Sequence, residues 1–152
     1  MLARMIYASA VGTPLGPAEV GQLLEQARRR NKLRGLTGLL VFDSRHFLQV
    51  LEGSSRTLSD LYAALLRDGR HRDLLLLKFA RVGVRCFPDW SMGFVPADAA
   101  HGAMLVRHGG SAGFEPFALD GDQAETLLLE LASAQAGRAA TATPAALAPA
   151  AS

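Results

Sequence analysis

Residues 36–53, LTGLLVFDSRHFLQVLEG, decide the fold. Two apolar runs of strand length, LTGLLVF and HFLQVLEG, are separated only by Asp43, Ser44 and Arg45. That is the pattern of two antiparallel strands joined by a short hairpin loop. The second run carries an anomaly, Gln49, whose carbonyl oxygen and NH₂ both need partners if the strand is buried. Left unpaired, each would cost about 1–3 kcal/mol.

Outward from the hairpin, each flank reads as helix and then strand. On the N-terminal side, ARMIYAS (3–9) is β-compatible, and VGTPLGP (11–17) is a loop with Pro17 at a first helical position. Val20, Leu24 and Ala27, with Leu23 beside them, form the apolar stripe of an amphipathic helix running to about Arg30. The next place on that stripe is Asn31. Gly35 and Gly38 are expected to bracket the turn into the hairpin. On the C-terminal side, Ser54 or Ser55 caps a second helix with Leu58, Leu61, Tyr62 and Leu65 on one face. It ends near RDGRH (67–71), with Gly69 as left-handed terminator. DLLLLKFARV (73–82) predicts a fourth strand inside the sheet, and RCFPDWSMGFVP (85–96) turns at Pro88 and gives a fifth.

The resulting order, βαββαββ, is that of an α+β, ferredoxin-like sandwich: a mixed five-stranded sheet with two helices on one face. This architecture spans residues 1–97. Residues 98–136 are Gly- and Ala-rich with a helix near 122–135, where Leu127, Leu128 and Leu131 recur at helical spacing behind Asp120 or Asp122 as cap. That helix is expected to cover the other face of the sheet or to form an oligomer contact. The Ala/Pro-rich stretch 137–152 has no periodic apolar face and is expected to be disordered.

Composition narrows the classes of function. With 49% apolar and 20% charged residues, the chain can bury one real core. Sixteen Lys and Arg against fourteen Asp and Glu leave a small positive charge. The only basic run, Arg28, Arg29, Arg30, Lys32 and Arg34, suits a solvated helix end better than a nucleic-acid surface. A single cysteine, Cys86, permits no intrachain disulfide or cysteine cluster and reads as a small apolar residue in a reducing, cytoplasmic setting. The apolar segment Met5 to Ala8 is too short for a signal peptide, and no run approaches the ~18 apolar residues of a membrane span. His46, His71, His101 and His108 have no metal-ligand spacing, and there is neither a phosphate loop nor a nucleophile elbow. GLTG (35–38) suits a turn. Glu52 is expected to be a solvated or helix-end residue without a carboxylate partner. The chain is therefore expected not to be an enzyme.

The polar residues on apolar faces are more telling. Strand alternation puts Gln49 on a face with Phe47 and Leu51, and Tyr7 with Met5 and Ser9. Asn31 extends the first helix's core stripe, Trp90 and Met92 share a parity on strand five, and Asp68, Arg70 and His71 cluster where helix two ends. Singly, each suits a structural role. Together they need many partners, which a planar, polar-edged ligand would supply at once.

The phrases MIYAS, RRNKLRGLTGLLVFDSRHFLQVLEG, LLRDGRH and RCFPDWSMGF, in this order, resemble the BLUF family of blue-light sensors that use flavin adenine dinucleotide (FAD). The resemblance covers about residues 1–97. It implies FAD as cofactor, with FMN and riboflavin as alternatives. It further implies that Tyr7 gives an electron and a proton to the excited flavin, and that Gln49 is the switching amide beside flavin N5 and C4=O. Asn31 would bind the ring edge, Asp68, Arg70 and His71 would form the helix-end motif near the ring and its side chain, and Trp90 and Met92 would be the strand-five pair that exchange positions or hydrogen bonds during signalling. Gly69 is a departure, since many members of the family carry Pro or another residue between the motif's Asp and Arg. The implied function is a photoreceptor that signals through strand five and the C-terminal extension to a downstream protein, as a homo-oligomer. Two other readings of the same fold order are an interaction module without cofactor and an acylphosphatase-like hydrolase. The latter needs an anion-binding loop with Arg and Asn after the first strand, and SAVGTPLGP (9–17) has neither.

Overall fold

The computed structural model describes residues 1–68, 72–88, 90–98, 102–109 and 114–141. The strands are β1 (Leu2–Ala10), β2 (Thr37–Phe42), β3 (His46–Ser54), β4 (Arg72–Arg81) and β5 (Gly93–Pro96). The helices are α1 (Pro17–Arg34), α2 (Ser55–Arg67), α3 (Gly102–Gly109) and α4 (Gly121–Thr141), with a 3-10 turn at Pro116–Ala118. The sheet order is β4-β1-β3-β2-β5, antiparallel throughout except for the parallel β2–β5 pair. The βαββαββ order predicted from the sequence is thus the observed one.

The hairpin is closed by Asp43, whose carboxylate accepts from the backbone N–H of Arg45 (3.0 Å) and His46 (2.7 Å) while Ser44 takes a positive φ of 80°. This sets the register Phe42↔Phe47 and Leu40↔Gln49, and the two Phe rings stack at 4.5 Å. Helix α1 begins at Pro17 and runs one turn beyond the expected end at Arg30, stopping where Gly35 turns left-handed (φ 68°) and donates to the carbonyls of Asn31 and Lys32. Ser54 caps α2 by accepting from Thr57 N–H.

Gly38 is a strand residue and not a turn residue as expected. A Cβ there would lie 2.0 Å from the Val50 carbonyl oxygen, so only glycine lets β2 approach β3 this closely.

Both faces of the sheet are covered. Helices α1 and α2 lie over Met5, Tyr7, Leu40, Phe47, Leu51 and Met92. On the opposite face Ile6, Leu39, Val41, Leu48 and Val50 pack against Leu105, Leu119, Leu127, Leu128 and Leu131. The expected helix near 122–135 is α4, and it covers this second face. Asp120 and Gln123 cap it reciprocally, each side chain accepting from the other's backbone N–H at 2.8 and 2.9 Å. Two shorter elements precede it, and α4 continues to Thr141, past the expected start of a disordered tail at 137; residues 142–152 lie outside the described residues.

Strand β4 corrects another expectation: it is an edge, not an interior strand. Leu75, Leu76 and Phe79 are 42%, 37% and 39% exposed. A continuous apolar run predicts burial on both faces, but β4 pairs on one side only and its register with β1 shifts twice.

Candidate functional site

Tyr7 on β1 and Gln49 on β3 are register partners in the middle of the sheet, and both project toward α1 and α2. The Tyr7 hydroxyl donates to Gln49 Oε1. At its other end, Gln49 Nε2 donates to the Met92 sulfur at 3.4 Å, a weak acceptor. The result is a buried hydrogen-bonded chain Tyr7–Gln49–Met92. Burial pushes the Tyr7 phenol well above its ordinary range; Arg30 opposes that shift and Asp68 adds to it. Tyr7 therefore stays protonated at any ordinary pH.

Met92 belongs to a segment held by its carbonyls. Asn31 Nδ2 donates to Ser91 O (2.6 Å), Arg28 Nε to Met92 O (3.1 Å) and Gly38 N–H to Trp90 O (3.0 Å). Asn31 itself is fully buried, and its Oδ1 accepts no hydrogen bond among the described residues. Between α1 and α2 a narrow cleft opens onto this chain. Its walls include Tyr7 and Gln49 on the floor, Leu23, Ala27 and Arg30 from α1, and Leu65 and Asp68 from α2.

The structure brings together Tyr7, Asn31, Gln49, Asp68 and Met92. Asp68 closes α2, its N–H bonded to Leu65 O. Arg70 and His71 lie outside the described residues, as does Gly69. Trp90 and Met92 do not share a strand or a face. Both precede β5; Met92 packs with the α1/α2 cluster, whereas Trp90 packs with Phe87, Val95 and the C-terminal helices on the other side. Strand parity failed here because the backbone is not extended until Gly93.

Four residues were misjudged from sequence: Arg28, Arg30, Glu52 and Cys86. The basic run is not wholly solvated: Arg28 and Arg30 turn inward. Helical spacing from Leu23 and Ala27 to Arg30 was the available signal. Glu52 is fully buried rather than solvated. It accepts from Arg4 Nε (2.8 Å) and from the backbone N–H groups of Cys86 (2.9 Å) and Phe87 (2.7 Å). Arg4 and Glu52 are direct cross-strand partners, and Arg4 Nη1 reaches on to Glu125 of α4 at 2.8 Å. Lys78 Nζ meets the same Glu125 at 3.0 Å. Burial raises the Glu125 carboxyl, but the hydrogen bonds from Lys78 and Arg4 outweigh it and hold the group below the usual carboxylate range. Cys86 is exposed, not a core residue, and Arg4 Nη2 donates to its sulfur at 3.0 Å. Among the described residues no cluster of His, Cys, Asp or Glu could hold a metal ion.

Chemically, the cleft offers a neutral phenol as donor and an amide that can present either end, and Asn31, next in the chain to Arg30 of its wall, holds a buried acceptor that is unused among the described residues. The family model "Sensors of blue-light using FAD" (BLUF) matches residues 2–93. The chain is 28% identical over 92 residues to the photoactivated adenylate cyclase subunit beta of Euglena longa, covering 60% of this chain and 11% of that one. It is 30% identical over 95 residues to the blue light- and temperature-regulated antirepressor BluF of Escherichia coli (strain K12), covering 57% and 24%. It thus spans a minor part of either relative. Among solved structures, the photo-activated state of BlsA superposes with a TM-score of 0.75 at 25% identity, over 87% of this chain and 95% of that one.

Proposed function

Because this chain belongs to the BLUF family of blue-light sensors using FAD, we propose that it is a blue-light photoreceptor and not an enzyme, with the Tyr7–Gln49–Met92 chain as its switch. That buried chain is the observation that carries the reading.

The residues of the α1–α2 cleft fit a flavin. Gln49 and Tyr7 face the cleft with groups suited to one polar edge, and Asn31, next in the chain to Arg30 of the cleft wall, carries a buried acceptor of the kind a ring N–H requires. Leu23, Ala27, Leu40, Phe47 and Leu65 supply apolar walls for the ring faces. Asp68 borders the same space, and the family pattern adds Arg70 and His71. FAD is the flavin the family name specifies. When bound, a flavin supplies absorption of blue light and, once excited, strong oxidising power.

The protein's own contribution is to hold one proton and one amide in defined places. Tyr7 is kept neutral by burial, so its proton is present, and its hydrogen bond aims that proton at Gln49 Oε1. A Gln49 amide turned end for end would present Nε2 where Oε1 now stands, and would offer Met92 an oxygen in place of a donor. The thioether cannot answer with a proton, so Met92 loses its polar contact. Because the carbonyls of Trp90, Ser91 and Met92 are tied to three different residues, the disturbance passes into β5 and to Trp90 against the C-terminal helices. A downstream protein that reads those helices is the proposed recipient. The names of the antirepressor and cyclase relatives support an output of that kind.

Purified protein supplied with FAD should be yellow, shift slightly to the red under blue light and recover in darkness. Gln49→Leu should bind flavin and show no reversible shift. A chain that binds no flavin, or a Gln49→Leu variant with a normal photocycle, would overturn the assignment.

A further inference from the structure

We infer that Arg4 is the positioning residue that couples the segment before β5 to α4: in darkness it holds both, and displacement of that segment by light releases α4 through Glu125. The inference rests on the photoreceptor reading and adds to it an ionic step by which the signal leaves the sheet.

The Arg4 guanidinium stands where four parts of the chain meet. Its Nε donates to Glu52 Oε2 on β3 and its Nη1 to Glu125 Oε2 on α4, each at 2.8 Å. Its Nη2 donates to the Cys86 sulfur (3.0 Å) and more weakly to Val84 O (3.4 Å), both in the loop that leads from β4 to Trp90 and Met92. Glu52 grips the same loop, Oε2 accepting from the Cys86 N–H (2.9 Å) and Oε1 from the Phe87 N–H (2.7 Å). Phe87 in turn packs with Trp90 in the core on that side of the sheet. Just before Cys86, Arg85 pins the loop to the sheet by donating to Gly35 O (2.8 Å) and Thr37 Oγ1 (2.7 Å). The stretch from Cys86 to Met92 is therefore held at both ends, by Arg85 and Glu52 at one and by the bonds to the Trp90, Ser91 and Met92 carbonyls at the other. A displacement that begins at Met92 is taken up at Cys86 and Phe87, on the Glu52 carboxylate.

Burial decides which contact then yields. Each nitrogen of the Arg4 guanidinium already has an acceptor, so displacement can only weaken the network. The Glu52 side chain is 0% exposed and that of Glu125 19%. A carboxylate without access to water loses most when its cation leaves, whereas water can reach Glu125, which also keeps Lys78 at 3.0 Å. Arg4 follows Glu52 and lets Glu125 go. Helix α4 then keeps its apolar seat through Leu127, Leu128 and Leu131 but loses its tie to the two inner strands β1 and β3. Lys78 holds Glu125 from the edge strand β4, so it supports α4 without belonging to the coupling.

Hydrogen exchange of the α4 amides in the full chain loaded with FAD, measured in darkness and under blue light alongside flavin absorbance, tests this. In the unmodified chain α4 should exchange roughly tenfold faster in light, the range of one charge-assisted contact. Glu125→Gln and Arg4→Lys should both keep the red shift of the flavin but exchange α4 at the fast rate already in darkness, with little further change on illumination. The lysine retains a cation for Glu52 and lacks the second arm for Glu125. Lys78→Met should also speed exchange, yet leave the ratio of light to dark rates as it is, which separates coupling from mere support. A ratio that survives Glu125→Gln or Arg4→Lys, or that Lys78→Met abolishes as well, would overturn the inference. If the flavin shifts but α4 of the unmodified chain exchanges alike in darkness and light, this inference alone falls. If no red shift occurs, the photoreceptor reading falls and takes it along.

Discussion

Gln49 holds two partners of unequal strength, a phenol and a thioether, and that inequality suits the proposed switch rather than a fixed brace. Tyr7→Phe tests the stronger side. It keeps the ring, removes the donor and leaves Gln49 Oε1 buried without it, which should cost about 1–3 kcal/mol in urea unfolding and abolish the light response. Unchanged stability with a normal response would contradict the role given to Tyr7. These residues were legible because each is polar at a position whose neighbours are apolar by strand or helix period. Arg30 and Glu52 were not. A charged side chain is read as solvated by default, and only the register Arg4↔Glu52 reveals that an ion pair can lie between two strands facing Ile6, Leu48 and Val50.

Two glycines show how the elements differ in what they tolerate. In β2, Gly38→Ala forces a methyl to within 2.0 Å of the Val50 carbonyl and should destabilise by about 3 kcal/mol or more, since backbone and not a flexible side chain must yield. In α1, a Cβ at Gly21 meets nothing within 4 Å, and Gly21→Ala should stabilise by about 0.5–1 kcal/mol through helix propensity. Chemical denaturation of both variants checks the opposite signs. At this scale the sequence revealed the hairpin, both covering helices, the Pro17 start of α1 and the Ser54 cap of α2, because period and cap chemistry are local. It misplaced β4 because a run of leucines looks the same at an edge as in a sheet interior. It also put Trp90 and Met92 on one face because alternation was assumed before the strand begins.

Across the whole molecule, the face opposite the cleft is tied together by charge. Arg4 joins Glu52 of β3 to Glu125 of α4, Lys78 of β4 meets the same Glu125, and Glu52 holds the backbone at Cys86 and Phe87, a few residues before Trp90. Glu125 has a lower pKa folded than unfolded, so the folded state binds fewer protons over the interval between the two values. Its contribution is complete above the ordinary glutamate range near 4.3 and is lost as pH falls through the folded value. Unfolding curves between pH 3 and 7, roughly the window where carboxylates titrate, should show that acid loss, and Glu125→Gln should flatten it. An identical acid limb in the variant would refute the linkage. None of this closure was readable from composition: that α4 covers the sheet was one of two options, and its ionic ties depend on residues 121 positions apart. The placement of Trp90 has a practical consequence. It is the only tryptophan in the chain and sits against the C-terminal helices, while the cleft lies on the other side of the sheet. The molecule thus carries a fluorophore of its own on the side proposed to receive the signal, so absorbance of a bound flavin and indole emission would give two clocks, one for the event and one for its arrival.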